Sequence, residues 1–135
     1  MSAPLTIIGS GMAGIGLLKQ LRMLDADCPV TLITADSGDD YSKPLLSTGF
    51  AKRLAPEKLA ARSALEVAAQ LGAVVRTHTR VDAIDAQERC LHIGEERLAY
   101  GELVLATGAA PSVPFAIPEA LADRVFSIND LDDYR

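Results

Sequence analysis

The chain has 135 residues, of which 49% are hydrophobic, and this suits one domain with a substantial buried core. Its formal net charge is -5 with acidic and basic residues interspersed, which argues against a nucleic-acid surface or a basic membrane-facing patch and favours small-molecule or protein partners. No apolar stretch approaches transmembrane length, and Cys28 and Cys90 form neither a zinc motif nor a disulfide framework, so we expect reduced thiols in a cytoplasmic protein.

The first predicted elements surround a glycine-rich turn. The apolar run Leu5–Ile8 predicts a buried strand, which leads into Gly9, Gly11 and Gly14 at the G-x-G-x-x-G spacing. In this motif the first glycine permits a tight turn, the second lets a phosphate approach the backbone, and the third lets the next helix pack closely on the strand. Unpaired N–H groups at the helix start favour a bound anion. We therefore predict a dinucleotide site, with a glycine-rich turn that binds nothing as the alternative.

A strand-helix-strand unit is predicted around this turn. The helix covers residues 12–24, and its apolar stripe consists of Gly14, Leu17, Leu18 and Leu21. The run Val30–Thr34 predicts a second parallel strand beside the first, through a right-handed crossover. Asp36 follows Gly14 by about 20 residues, where such a unit often offers an acid to a ribose hydroxyl. Because Thr34 rather than an acid ends the strand, a solvated loop position for Asp36 is an equal alternative.

A long loop and a second helix come next. Residues 37–55 are rich in Gly, Ser and Pro and are predicted to form an irregular, functional loop. Pro56 predicts the first turn of a helix that runs to Leu71 and stops at Gly72. The predicted inner face of this helix consists of Ala61, Ala64, Leu65 and Ala68. Ala73–Arg76 predicts a third parallel strand.

The remaining third of the chain changes character. Residues 77–99 predict short antiparallel strands, including a hairpin with a type II′ turn that starts at Gly94. Leu103–Ala106 predicts another buried strand, and residues 127–135 predict the capped start of a helix. The predicted fold class is therefore α/β, a Rossmann-like parallel sheet with helices on both faces and an inserted antiparallel β-meander.

Four sequence motifs together carry a family resemblance. They are G-S-G-M-A-G at 9–14, Y-S-K-P-L-L-S at 41–47, T-R-V-D-A-I-D at 79–85, and Y-G-E-L-V-L-A-T-G-A-A-P at 100–111. Over its whole length the chain resembles flavin-dependent pyridine nucleotide reductases of the type with two dinucleotide-binding domains. The string around Y-S-K-P-L-L-S is more similar to the rubredoxin reductases than to ferredoxin reductases with Arg-Pro-Pro. Disulfide reductases of this superfamily carry a cysteine pair near this loop, and residues 41–50 contain none, so a thiol relay is not expected.

The resemblance implies FAD as the cofactor and assigns residues to it by position. The residues implied to hold the pyrophosphate are Gly9, Ser10, Gly11, Met12, Ala13 and Gly14. Those implied to lie near the adenosine ribose are Thr34, Ala35 and Asp36. Lys43 is implied to stabilise charge on the reduced flavin ring and Pro44 to pack near that ring, with a solvated loop lysine as the alternative for Lys43. The residues implied to contact the adenine edge and the flavin are Val81, Ala106, Thr107 and Gly108, with an ordinary core position as the alternative for Val81.

The resemblance also implies a function. Electrons would pass from NAD(P)H through FAD to a rubredoxin- or ferredoxin-like carrier, with no metal site and no catalytic side chain in this chain. One G-x-G-x-x-G motif cannot hold FAD and the nicotinamide donor together. We therefore expect residues 1–135 to be the N-terminal FAD-binding part of a larger reductase, without its NAD(P)H-binding and C-terminal domains, and we expect the isolated chain to be inactive. The alternatives are a non-catalytic module that binds NAD or another adenine nucleotide, and a cofactor-free interaction piece that pairs through an open sheet edge.

Overall fold

A computed structural model describes residues 3–135. The elements follow one another in this order: β1 (Leu5–Ile8), α1 (Met12–Leu24), β2 (Val30–Ile33), β3 (Asp40–Tyr41), α2 (Leu45–Ala51), β4 (Ala60–Arg62), α3 (Ala64–Leu71), β5 (Val74–Arg76), β6 (Ala83–Asp85), β7 (Cys90–Ile93), β8 (Glu96–Ala99), β9 (Glu102–Leu105) and α4 (Leu131–Tyr134). Short 3₁₀ turns span Pro56–Lys58 and Glu119–Arg124. Among the described helices, none has the length and hydrophobicity needed to cross a bilayer.

The central sheet has four parallel strands in the order β5-β2-β1-β9. Its middle strands are continuous runs of apolar and β-branched residues, as expected for strands that are covered on both faces. Leu5 lies opposite Val30 on one side and Glu102 on the other, so β1, β2 and β9 all end at the same edge. The predicted strand-helix-strand unit and the parallel α/β fold are confirmed.

Different layers cover the two faces of this sheet. Side chains alternate along β1, so Ile7 faces the helices and Ile8 the opposite side. The core on the helix side consists of Ile7, Ile15, Leu18, Val30, Leu32 and Val67. The core on the other side is built around Ile33, Leu91 and Tyr100 and belongs to the antiparallel sheet β6-β7-β8. The fold class holds, but the second face carries the meander where the sequence analysis placed helices, because α1 and α3 share the first face.

The faces of the two main helices differ in detail from the prediction. The sequence places Leu17 on the buried stripe of α1, but Leu17 is 38% exposed and Ile15 is buried. In α3, Leu65 is 79% exposed and Val67 is fully buried. Both differences are shifts of one or two positions around the helix, and they arise because the sheet selects one of two adjacent apolar stripes.

The predicted helix 56–71 is wrong in its first half. Pro56 begins only a 3₁₀ turn, and β4 pairs antiparallel with β3 before α3 begins at Ala64. The start of α3 is fixed by a capping box in which Ser63 Oγ accepts the N–H of Glu66 and the Glu66 carboxylate accepts the N–H of Ser63. Gly72 ends the helix with φ +56°, as predicted. The loop predicted over residues 37–55 contains β3 and α2, which is a second correction.

The later predictions fit the structure more closely. In the hairpin β7-β8, Gly94 has φ +59° and Glu95 does not share this positive φ, which is the type II′ pattern. The start of α4 is capped by Asp130, which accepts the N–H of Asp133. The buried face of α4 joins a third apolar cluster made of Leu46, Leu59 and Leu131.

Replacing Thr6 with valine is expected to stabilise the chain. Thr6 is fully buried in β1, and its Oγ1 has no hydrogen-bond partner within residues 3–135. Valine keeps the shape and removes the unpaired hydroxyl, so the free energy of unfolding should rise by about 1 kcal/mol. Urea unfolding measures the change, and a loss of stability would show that the hydroxyl is in fact paired.

Candidate functional site

Two glycine-containing turns meet at the carboxyl edge of the parallel sheet. Gly9 has φ +111°, and its N–H donates to the carbonyl of Ile33 over 2.8 Å. A Cβ on Gly9 would overlap the backbone carbonyl oxygen of Ala106. The N–H of Ala106 in turn donates to the carbonyl of Ile8 over 2.8 Å. The turn after β1 and the turn after β9, both expected to contact FAD, are therefore in direct backbone contact.

The start of α1 has the form expected of an anion site. Gly11 is the N-cap and offers no side chain to the N–H groups of the first turn, which also contains no acidic residue. A Cβ on Gly14 would overlap the carbonyl oxygen of Gly9, whereas one on Gly11 would meet no described atom within 4 Å. The first helical bond runs from the N–H of Ile15 to Gly11, so the N–H groups before it remain for a ligand. Met12 and Ala13 are exposed at this turn. The surroundings of the three motif glycines therefore differ: Gly9 and Gly14 are in close backbone contact, and Gly11 has open space at its Cα.

Asp36 is fastened to the glycine turn. Its Oδ1 accepts from Thr34 Oγ1 over 2.6 Å and from the N–H of Gly38 over 2.9 Å. The hydroxyl of Ser10 lies 2.9 Å from Thr34 Oγ1 and 3.1 Å from Asp36 Oδ1. Ser10 and Thr34 are both buried, and Ala35 is exposed. Asp36 is therefore no solvated loop residue: it joins the end of β2 to the turn after β1 through Oδ1, and Oδ2 takes no part in these bonds.

Lys43 is held by a residue far away in the sequence. Its Nζ donates to Oδ1 of Asn129 over 2.7 Å, and Asn129 Nδ2 lies 3.5 Å from the carbonyl oxygen of Ala109. Pro44 is exposed and forms the N-cap of α2. Lys43 is exposed, as the alternative of a solvated loop lysine expects, and its ammonium is nevertheless hydrogen-bonded to a residue of the chain. A cleft of about 450 Å³ opens here, lined by Lys43, Leu46, Ser47, Phe50 and Ile128.

The remaining predicted residues lie around the same edge. Val81 is half-buried and packs against the cluster that contains Ile33 and Leu91. This packing agrees with the alternative that Val81 is an ordinary core residue. The N–H of Thr79 donates to Thr34 over 2.8 Å, which places this segment at the end of β2. Thr107 and Gly108 are exposed, and Gly108 has φ +68°.

Ion pairs bind the loop before Lys43 to the rest of the domain. Asp40 Oδ2 accepts from Arg62 Nη2 at 2.5 Å, from Arg62 Nε at 3.1 Å and from Lys19 Nζ at 3.1 Å. Burial acts to raise the pKa of Asp40, but the hydrogen bonds and positive charges of Arg62 and Lys19 outweigh it, and the pKa is lowered. Asp40 therefore links β3 to both β4 and α1.

Stability is expected to fall in acid through Asp40. A carboxyl whose pKa is lowered by folding stabilises the fold fully above its unfolded pKa of about 4, and the contribution is lost as the pH falls through the folded value. Asp40→Asn should cost about 1 kcal/mol at pH 7 and flatten the decline in Tm between about pH 5 and pH 3. The exposed Asp123→Asn variant is the control and should keep the wild-type slope. Identical slopes for Asp40→Asn and wild type would refute this role.

Comparisons with known proteins agree with this geometry. A family model described as Pyridine nucleotide-disulphide oxidoreductase matches residues 3–135. The chain belongs to this family. It is 39% identical over 134 residues to the Nitric oxide reductase FlRd-NAD(+) reductase of Aliivibrio fischeri, covering 99% of this chain and 35% of that protein. It is 41% identical over 131 residues to the Rubredoxin-NAD(+) reductase of Alcanivorax borkumensis, covering 97% of this chain and 34% of that protein.

A solved structure shows the same fold. The ferredoxin reductase for the CYP199A2 system from Rhodopseudomonas palustris superimposes with a TM-score of 0.82 at 27% identity, covering 98% of this chain and 33% of that one. This member of the pyridine nucleotide-disulphide oxidoreductase family thus spans about a third of the length of the relatives it matches. The predicted resemblance to rubredoxin reductases is confirmed. Its two cysteines, Cys28 and Cys90, are free thiols.

The structure brings most of the predicted residues into one band along the sheet edge. From one end to the other, the band contains Asp36, Thr34, Ser10, Gly9, Ala106, Ala109, Asn129 and Lys43. Neighbours in this order are joined by the contacts given above, except that Ser10 follows Gly9 directly in the chain and residues 106–109 are one chain segment. Asn129 and Ala109 were missed by the sequence analysis. The only signal for Asn129 was its position just before the acidic cap of α4, which gives no hint of a contact with Lys43.

Proposed function

We propose that residues 1–135 form the FAD-binding part of a larger NAD(P)H-dependent flavoprotein reductase, one that passes electrons through FAD to a rubredoxin- or ferredoxin-like carrier. The observation that carries this proposal is the continuous band from Asp36 to Lys43. A single nucleotide phosphate site would need only the glycine turn. An elongated dinucleotide needs further contacts on both sides of that turn, and the band supplies them.

The residues present fit FAD along this band. The pyrophosphate would lie at the start of α1, where Gly11 leaves open space and the helix dipole favours negative charge. The adenosine ribose would lie towards residues 34–36, with the adenine near Val81. The flavin ring would lie at the other end, beside Lys43, Pro44 and residues 106–108. Bound FAD supplies hydride acceptance and single-electron transfer.

The chain's own residues would bind and orient this cofactor. Lys43 provides a positive charge, held by Asn129, that would favour negative charge on the reduced ring. The hydroxyl network of Ser10, Thr34 and Asp36 would fix the turn that receives the pyrophosphate. The names of two relatives mention rubredoxin or FlRd together with NAD(+), which supports a nicotinamide donor and a small electron carrier as partners of the whole protein. A cytoplasmic location suits such partners.

Cofactor selectivity tests the proposal. The purified chain is mixed with FAD or NAD and desalted, and its absorption spectrum is recorded. Retention of the visible bands of FAD, with no retention of NAD at 260 nm, is the expected result. Uptake of NAD in preference to FAD would favour the non-catalytic nucleotide module. NADH oxidation by the isolated chain should be very slow, and a rate comparable to that of intact reductases would contradict the proposal that a second nucleotide site lies elsewhere.

A further inference from the structure

The last residues of the chain fasten the loop that carries Lys43. We call residues 129–135 the clasp and residues 37–54 the Lys43 loop. Hydrogen bonds join the two at five places, which are Ser37 N to Asp132 Oδ2 at 3.0 Å, Arg135 Nη2 to Asp39 Oδ2 at 2.8 Å, Leu131 N to Tyr41 Oη at 3.2 Å, Lys43 Nζ to Asn129 Oδ1 at 2.7 Å, and Tyr134 Oη to Leu54 O at 3.1 Å. The clasp therefore runs along the whole loop.

The clasp is itself held firmly. Leu131 is 1% exposed and packs with Leu46 and Leu59, which anchors α4 against α2. Burial and then the charge of Asp36 raise the pKa of Tyr41 to about 12, so its hydroxyl stays protonated while it accepts the N–H of Leu131. These contacts fix the backbone immediately after Asn129.

Asn129 is fixed at its own backbone as well. Its N–H donates to Oδ2 of Asp133 over 2.8 Å, and its Nδ2 points to the carbonyl oxygen of Ala109 at 3.5 Å. With Nδ2 on the side of Ala109, the Oδ1 of Asn129 faces the Lys43 ammonium. A lysine side chain has four rotatable bonds, and ordering it costs about 2 kcal/mol of rotamer entropy. A hydrogen-bond partner that other contacts already hold in place therefore favours one position of the ammonium.

The ammonium of Lys43 is bound by a neutral amide although carboxylates lie nearby in the chain. The clasp contains three carboxylates, and each is engaged elsewhere. Asp130 accepts the N–H of Asp133, Asp132 accepts from Ser37 and Arg135, and Asp133 accepts from the N–H groups of Asn129 and Asp130. The group that contacts the ammonium is thus the neutral amide. An amide orients a cation without cancelling its charge, whereas a carboxylate would cancel it.

We propose that Asn129 is a positioning residue that holds the Lys43 ammonium, with its charge uncompensated, at the flavin end of the site. The inference rests on the proposed function, since the charge matters only if a flavin is reduced beside it. Its consequence is specific: Asn129 should favour reduced FAD over oxidised FAD through Lys43, beyond any effect on folding.

The test compares the affinities of the chain for reduced and oxidised FAD, obtained from the potential of the bound cofactor. Asn129→Leu should lower the ratio of these affinities about tenfold, equivalent to ~30 mV for a two-electron couple. Asn129→Asp should lower it at least as much, since its carboxylate would cancel the charge. Asn129→Gln, which keeps the amide, should restore the ratio to within about twofold of wild type. In a Lys43→Met background, Asn129→Leu should cause no further change.

The outcomes separate the two proposals. If wild type takes up no FAD, the proposed function fails and the inference fails with it. If wild type binds FAD and Asn129→Leu keeps the wild-type ratio, the inference alone is overturned. It is also overturned if Asn129→Leu lowers the ratio equally with and without Lys43. A purely structural role would lower Tm and weaken both redox forms of FAD together, leaving the ratio unchanged. If Asn129→Leu does not fold, the nearly isosteric Asn129→Asp decides by the same comparison.

Discussion

Replacing Gly9 with alanine is expected to destabilise the chain by about 4 kcal/mol and to abolish FAD uptake. Gly9 has φ +111°, a conformation that side chains rarely adopt, and its Cβ would overlap the carbonyl oxygen of Ala106. That carbonyl belongs to the backbone at the end of β9 and cannot move without breaking the pairing of β1 with β9. Urea unfolding followed by circular dichroism measures the loss.

Gly16 provides a matched control for Gly9. It lies within α1, and a Cβ there would meet no described atom within 4 Å. Gly16→Ala should stabilise the chain by about 0.5–1 kcal/mol, because alanine favours the helix and loses less backbone entropy on folding. If Gly9→Ala and Gly16→Ala change the free energy of unfolding in the same direction, the close approach of Gly9 to the carbonyl of Ala106 is contradicted.

Replacing Leu131 with alanine is expected to lower the free energy of unfolding by about 3 kcal/mol, the second large effect. Leu131 is 1% exposed between Leu46 and Leu59, so its removal leaves a cavity where the clasp meets the Lys43 loop. Since this cluster is separate from the two cores on the sheet, the loss should appear mainly as local opening. Amide hydrogen exchange should accelerate over residues 45–59 and remain slow in β1 and β2.

The exposed Leu65 is the control for Leu131. It lies on α3 with 79% of its surface exposed, and Leu65→Ala should change stability by less than about 0.5 kcal/mol. Uniform acceleration of exchange across the whole chain in Leu131→Ala would contradict a separate clasp cluster. Unchanged exchange at residues 45–59 would show that the clasp does not hold the Lys43 loop.

Local signals were sufficient for the strand-helix-strand unit and failed where distant segments pair. Leu5–Ile8 and Val30–Ile33 are short runs of apolar and β-branched residues on either side of an amphipathic helix, and this order favours a parallel strand-helix-strand unit. Residues 56–71 instead contain two competing helix starts, Pro56 and the capping box of Ser63 with Glu66. The box starts the helix because residues 60–62 pair with β3 and the guanidinium of Arg62 binds Asp40, a partner that the local sequence cannot reveal.

In the candidate site, too, local features could be predicted from the sequence and contacts between distant residues could not. The roles of Gly9, Gly11 and Gly14 follow from backbone sterics at fixed spacing, and the structure shows the predicted close contacts and open space. The contact of Asn129 with Lys43 joins positions 86 residues apart, so no pattern along the chain could predict it. The sequence leaves Asp36 as a ribose ligand or a solvated residue, because its hydrogen bonds to the buried hydroxyls of Ser10 and Thr34 depend on the pairing of β1 with β2.

Binding of FAD by Gly11→Ala is the most direct test of the central claim that the dinucleotide crosses the turn after β1. Gly11 has φ -69° and open space at its Cβ, so alanine there should leave Tm unchanged. The added methyl group would occupy the space of the pyrophosphate, and calorimetric titration should show FAD affinity about tenfold weaker than in wild type and Gly16→Ala. Equal affinities for FAD in all three proteins would contradict the account.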